Sequence, residues 1–84
     1  MLFTGEKCAP CAIAKAVLDH CCRYYHIDVS LAPMTAVKYS IRSIPTLIAV
    51  LGDDERVEQY QGRFTVTGVR YWLEKIGMRK APKE

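Results

Sequence analysis

Within its first 29 residues the chain changes hydrophobic period twice, and this limits its fold more tightly than any other feature. Met1–Thr4 is apolar and aromatic and is cut off by Gly5, which predicts an opening strand. From Pro10 to Cys22 the period becomes helical. Ile13, Ala14, Val17, Leu18 and Cys21 fall on one stripe at spacings of three and four, with Lys15, Asp19 and Arg23 off it. Pro10 suits the first helical turn, where its missing N–H costs nothing. Tyr24–Val29 then alternates, Tyr25, Ile27 and Val29 against Tyr24, His26 and Asp28, as a strand does. A strand, a helix and a strand in this order form a crossover, which makes the two strands parallel and the connection right-handed.

The remaining residues continue the alternation of elements. Ser30–Pro33 reads as a turn, and Met34–Ser40 as a short helix expected to carry Met34, Val37 and Ile41 inward. Thr46–Leu51 is a continuous apolar run, the pattern of a strand covered on both faces. Gly52-Asp53-Asp54 is a turn signal, so Arg56–Tyr60 is expected to return as an antiparallel edge strand. Val66, Val69, Leu73 and Ile76 place a last helix over Val66–Ile76, with Trp72 flanking the stripe and Gly77 positioned to stop it. The order β-α-β-α-β-β-α predicts an α/β fold: a four-stranded mixed sheet with helices on both faces.

Length and charge narrow the function classes. Eighty-four residues make one domain, expected over 1–76, with 77–84 as a basic, flexible tail. Half the residues are hydrophobic, which excludes a disordered or low-complexity chain. The net charge of +3 owes much to Arg79, Lys80 and Lys83 in that tail. The rest holds nine basic and eight acidic residues, too even a balance for a nucleic-acid-binding stripe. No apolar run approaches the ~20 residues of a spanning helix. The first residues lack the basic and apolar regions of a signal peptide. The expected setting is therefore the cytoplasm, without membrane association. Thiols stay reduced there, so four cysteines point to redox chemistry or metal binding rather than to structural disulfides.

Cys8-Ala9-Pro10-Cys11 lies at the junction of the first strand and first helix. Cysteines at i and i+3 on a helical turn lie about 5–6 Å apart, within reach of a disulfide. Cys8 would sit at the helix N-terminus, where free N–H groups and the macrodipole favour a thiolate. Lys7 adds a positive charge beside it, and Cys11, a turn further in, is expected to be more shielded. That asymmetry suits two-step exchange, in which one sulfur attacks a disulfide and the other resolves the product. Half of a zinc site would read the same by motif alone. Cys11 and Cys21, however, would stand about 15 Å apart along one helix. Zinc ligands must converge within about 2.3 Å of one ion. His20, Cys21 and Cys22 are therefore poor partners for the pair, His26 lies nearer the helix's far end, and no metal is expected. Cys21 reads as a small buried hydrophobe. Cys22 faces elsewhere and is open to oxidation or glutathionylation if exposed.

Two segments carry a family resemblance over about residues 1–76. Phe3–Lys15, with its short lead-in strand and the spacing Cys8-x-x-Cys11-x-x-Ala14-Lys15, resembles small glutaredoxins. Thr35–Leu47, containing Lys38-Tyr39-Ser40-Ile41-Arg42-Ser43-Ile44-Pro45-Thr46, is very similar to the KYGIRGIPTL stretch of thioredoxins. The chain thus resembles the thioredoxin/glutaredoxin superfamily. The resemblance implies a thioredoxin fold with Cys8 as nucleophile and Cys11 as resolving cysteine. It also implies a cis Pro45 facing Cys8, an Ile44 backbone free to pair with an extended substrate, and Gly62 where backbone passes close to that substrate. The activity implied is reduction of protein disulfides by a monomer with no bound cofactor. Its electrons would come from thioredoxin reductase (NADPH, FAD) or from glutathione.

The departures from those patterns matter too. Lys7 replaces the tryptophan that usually precedes the thioredoxin pair, and Leu2 stands where that family buries an acid. Gly5 displaces the glutaredoxin lysine, and Gly62-Arg63-Phe64-Thr65 lacks the aspartate that contacts glutathione. Lys7, Arg42 and Arg63 remain candidates for tuning the thiols or holding carboxylates. Tyr60–Phe64 loosely resembles a segment of small redoxins that reduce ribonucleotide reductase. Rival functions are a glutathione-coupled glutaredoxin, a ribonucleotide-reductase donor and, in a different class, a zinc-binding or non-catalytic interaction module.

Overall fold

A computed structural model describes residues 1–52 and 56–77. Its elements are β1 (Leu2–Thr4), α1 (Ala9–Cys21), β2 (His26–Asp28), α2 (Pro33–Lys38), β3 (Thr46–Leu51), β4 (Arg56–Gln59) and α3 (Val66–Lys75). The strands form one mixed sheet in the order β2-β1-β3-β4. β1 and β2 pair in parallel with Leu2 opposite His26, as the crossover requires. β3 runs antiparallel to β1 and to β4. The C-terminal ends of β1, β2 and β4 and the N-terminal end of β3 therefore share one edge of the sheet. Of the expected hairpin turn, Gly52 is described and adopts φ +72, whereas Asp53 and Asp54 lie outside the described residues. So do residues 78–84 of the expected tail.

Alternation along β1 supplies both faces of the core. Leu2 points to one face and packs into a cluster with Ala14 and Leu18 of α1, Leu47 of β3, and Val69 and Leu73 of α3. Phe3, also fully buried, points to the other face, where its ring lies 6.1 Å from that of Tyr39 just after α2. Each such side chain contributes about 1.5–3 kcal/mol by leaving water. The two faces thus take helices of opposite origin, α1 with α3 on one and α2 on the other.

Three expectations about the core need correction. Ile13 is 60 % exposed, because it lies about 100° round α1 from Ala14 and outside the buried arc from Cys11 to Val17. Met34 and Val37 are 76 % and 71 % exposed rather than inward. The reason is the rotation of α2: the Tyr39 ring packs tilted against Phe3, so the sides turned to the protein are those of Thr35, Ala36 and Tyr39, with Ile41 half-buried beyond. Met34 and Val37 fall opposite. Ser40 at φ +57 then ends the helical turn, while Ile41 N–H still donates to Ala36 O at 2.9 Å. Tyr25 too is exposed. Only residues 26–28 form β2 proper, although Leu2 N–H to Tyr25 O and Val29 N–H to Thr4 O extend the pairing at each end, both at 2.8 Å.

The helix ends obey local chemistry. Thr65 caps α3, its hydroxyl oxygen accepting from Gly68 N–H at 3.0 Å. Gly77, at φ +88, closes the other end, with its N–H on Glu74 O at 3.1 Å.

Candidate active site

Cys8 is the cap residue of α1, held in extended conformation at φ −120, ψ 97. Its sulfur accepts the Cys11 backbone N–H at 3.2 Å. The same geometry brings Cys8 and Cys11 together as a disulfide, with Cα atoms 5.2 Å apart. The strand-to-helix turn that achieves this passes through Lys7 at φ +53, a left-handed conformation in a residue that is not glycine. Pro10 occupies the first turn of α1, and that turn carries no acidic residue. The sulfurs are unequal: Cys8 is half-buried, whereas Cys11 is only 4 % exposed. Cys11 is the first member of the buried stripe that continues through Ala14 and Leu18.

Two further loops leave the same sheet edge. Before β3 the Ile44–Pro45 peptide bond is cis, and the Thr46 hydroxyl donates to Ser43 O at 2.6 Å within that loop. A Cβ on Gly5 would stand 2.6 Å from Ile44 Cδ1 and 3.6 Å from Val29 Cγ2. The missing side chain of Gly5 leaves room for the Ile44 side chain beside the strand that leads to Cys8. After β4, Tyr60 N–H donates to Leu47 O at 2.9 Å, and Gly62 turns at φ +120. The Tyr60 hydroxyl donates to Arg63 O across this turn, while its ring packs edge-on against Phe64 and Trp72 at 5.3 and 5.5 Å. Gly68 makes room for that hydroxyl, since a Cβ there would come within 2.6 Å of it. Lys7, Arg42 and Arg63 are exposed, one on each of the three loops.

Leu2 is wholly inside the apolar cluster. One polar group that sequence reasoning missed lies two residues further along the same face of β1. The Thr4 hydroxyl, 4 % exposed, is 2.6 Å from Nε2 of His26, which sits at the open edge of β2. The signal was available in the pattern, a threonine inside an apolar strand and a histidine on the alternating partner strand. The parallel register that joins them was not.

The other end of α1 has a different character. The Cys21 thiol donates to Val66 O at 3.8 Å, and burial pushes its pKa up, with the Arg70 guanidinium opposing. Cys22 caps the helix, its N–H on Leu18 O at 3.1 Å. Burial raises its thiol pKa as well, a Cys21 negative charge raises it further, and the terminal ammonium opposes. Among the described residues no three His, Cys, Asp or Glu side chains gather closely enough to hold a metal ion. An open groove of about 1040 Å³ lies beside Cys22, lined also by Met1, Tyr24, Tyr25 and Trp72. Neither Cys8 nor Pro45 borders it.

The fold and this site together define a small α/β protein with a Cys-x-x-Cys disulfide at the amino end of its first helix. No family model matches the chain. Individual relatives do. Thioredoxin of Synechocystis sp. is 35 % identical over 80 residues, covering 87 % of this chain and 74 % of that protein. Thioredoxin 1 of Synechococcus elongatus is 32 % identical with the same coverage. Thioredoxin of Staphylococcus epidermidis is 37 % identical over 67 residues, covering 71 % of this chain and 64 % of that protein. The chain belongs to the thioredoxin superfamily.

Proposed function

We propose that the chain is a thiol-disulfide oxidoreductase that reduces disulfides of other proteins. One observation carries the reading: the Cys11 N–H points at the Cys8 sulfur from the amino end of α1, while Cys11 itself is buried. A helix N-terminus lowers a thiol pKa and favours the thiolate that attacks. In the reduced protein, the Cys8 thiolate attacks one sulfur of a substrate disulfide, forming a mixed disulfide and releasing the other sulfur as a thiolate that takes a proton. Cys11 then loses its proton and attacks the Cys8 sulfur, which expels the second substrate sulfur. The substrate gains two electrons and two protons, and Cys8 and Cys11 end as the disulfide.

In this reading the Ile44 backbone beside Pro45 pairs with the extended substrate segment, and Gly62 admits its backbone at the other side. Lys7, Arg42 and Arg63 raise the local positive potential around the thiolate. The chain acts as a monomeric electron carrier in the cytoplasm, with thioredoxin reductase (NADPH, FAD) returning the electrons. The relatives named thioredoxin favour this reductant over glutathione. Ribonucleotide reductase is a substrate to test, on the strength of the Tyr60–Phe64 segment.

The deciding assay follows reduction of insulin disulfides with either NADPH and thioredoxin reductase or glutathione as the electron source. Turnover is expected with the reductase. Cys8→Ser should bring it to background, and Cys11→Ser should accumulate a mixed disulfide visible by mass spectrometry. Undiminished turnover in the Cys8 variant would exclude the mechanism.

A further inference from the structure

The three loops that surround Cys8 share a property that disulfide exchange itself does not require. Lys7 lies on the loop after β1, Arg42 on the loop before β3 and Arg63 on the loop after β4, and all three side chains are exposed. Strand directions bring these loops to one edge of the sheet. Among the described residues none of the three cations is in an ion pair. Among the described residues the anions on these loops and at the adjoining end of β2 are Glu6, next to Lys7, and Asp28, which accepts the Ser30 N–H at 2.9 Å and hydroxyl at 2.6 Å, bonds that favour its ionised form. The amino end of α1 points the same way, with no acidic residue in its first turn. Three cations and the amino end of α1, set against two carboxylates, leave the edge that carries the disulfide with a positive excess, although the chain without its last residues is close to neutral.

From this we propose that the preferred substrate is a disulfide within an acidic segment of a protein, with carboxylates close in sequence to the attacked cysteine. The proposal rests on the dithiol-exchange reading and names the substrate class for it. β1 and β4 stand two strand spacings apart, about 10 Å. An extended segment advances roughly 3.3–3.6 Å per residue, so carboxylates three or four residues from the cysteine reach the cations on either side. Lys7 is adjacent to Cys8 and meets carboxylates nearest the disulfide. Arg42 and Arg63 meet those further out, and their planar guanidinium groups can take a carboxylate through two N–H donors. Such charges act mainly on encounter, so the preference belongs in kcat/KM and weakens with salt. Glutathione carries carboxylates too, and the experiment must separate it from a protein segment.

The test mixes the pre-reduced full chain with oxidised peptides of one sequence around the disulfide, flanked by Asp and Glu, by Ser and Asn, or by Lys. Glutathione disulfide forms a fourth arm. The second-order rate of Cys8–Cys11 oxidation is read by stopped flow. At low salt the acidic peptide is expected to react about tenfold faster than the basic one, and the ratio to fall toward unity in 1 M salt. The double charge reversal Arg42→Glu with Arg63→Glu should invert the order. Lys38→Glu with Lys75→Glu, away from the site, should leave the ratio in place. A ratio of two substrates on one preparation does not depend on the folded fraction, so a destabilised variant still reports. Equal rates for the three peptides would refute the proposal while leaving dithiol exchange intact. Glutathione disulfide reacting faster than every peptide would refute the assignment to a protein segment. No oxidation by any arm would instead remove the functional reading on which the proposal stands.

Discussion

At the amino end of α1 a backbone N–H points at the sulfur of Cys8; near the carboxyl end of the same helix the Cys21 thiol faces the carbonyl oxygen of Val66. The residue type is the same at both ends, and so is the helix. What differs is the polarity of the peptide groups each sulfur meets. N–H groups favour a thiolate, whereas a carbonyl favours the thiol, and burial at Cys21 and Cys22 pushes in the same direction. The polarity of the peptide group that each sulfur meets, an N–H of α1 at Cys8 and a carbonyl of α3 at Cys21, separates a candidate redox pair from two packing residues better than the count of cysteines does.

The two ends of α1 are expected to differ most in their effect on turnover. Cys8→Ser is expected to abolish it, whereas Cys21→Ser and Cys22→Ser should each retain activity within about twofold, since both lie at the far end of a 13-residue helix, about 20 Å from Cys8. A dead Cys22 variant would show that both ends of the helix serve the reaction. Next in size is stability. Leu18→Ala should cost about 2–5 kcal/mol by chemical denaturation, because Leu18 is wholly enclosed in the cluster of Leu2, Val69 and Leu73. Ile13→Ala, on the exposed flank of the same helix, should change stability by no more than about 0.5 kcal/mol.

Alkylation sharpens the contrast between the ends directly. In the reduced protein at pH 8, iodoacetamide should modify Cys8 before Cys21 and Cys22, at rates differing by about tenfold or more, because raised thiol pKa values leave less thiolate. Peptide mapping at short times reads the order. The smallest expected effect lies in alkaline stability. The fold raises the pKa values of Cys21, Cys22 and Tyr24, the last to about 12 through burial and its bond to Asp19. The folded chain then holds these protons more tightly than the unfolded chain. The stabilisation is complete below the ordinary thiol value of 9.0 and drains away as pH rises through the folded values. Denaturant midpoints measured from pH 8 to 11 should decline, and the Cys21→Ser, Cys22→Ser double variant should flatten the first part of that decline.

Much of the scaffold was legible because its elements are short and sharply punctuated. Thr46–Leu51 reads as a strand from its continuous apolar run, and β3 occupies those residues. Gly77 marks the end of α3 because a left-handed residue is needed there. The errors fall where the rotation of an element is set by something distant in sequence. Met34, Val37 and Ile41 make a plausible helical stripe, yet the contact of Tyr39 with Phe3, 36 residues away, turns α2 so that Met34 and Val37 face outward. Thr4 and His26 show the same limit at the site. Each is ordinary in its own strand, and only the pairing of β1 with β2 joins them.

The order of elements, the parallel first pair and the position of Cys8 and Cys11 at a strand-to-helix junction are written in the amino-acid sequence. Those follow from local periodicity and from cysteines one helical turn apart. The tertiary structure alone decided which loops meet around Cys8. Strand direction carries Pro45 and Gly62 to its edge of the sheet, and the absent side chain of Gly5 leaves room there for that of Ile44. The same directions set Lys7, Arg42 and Arg63 on neighbouring loops, although 35 and 21 positions separate them along the chain. Local pattern reports what a segment prefers, whereas the gathering of distant segments depends on pairing and packing that no short window contains.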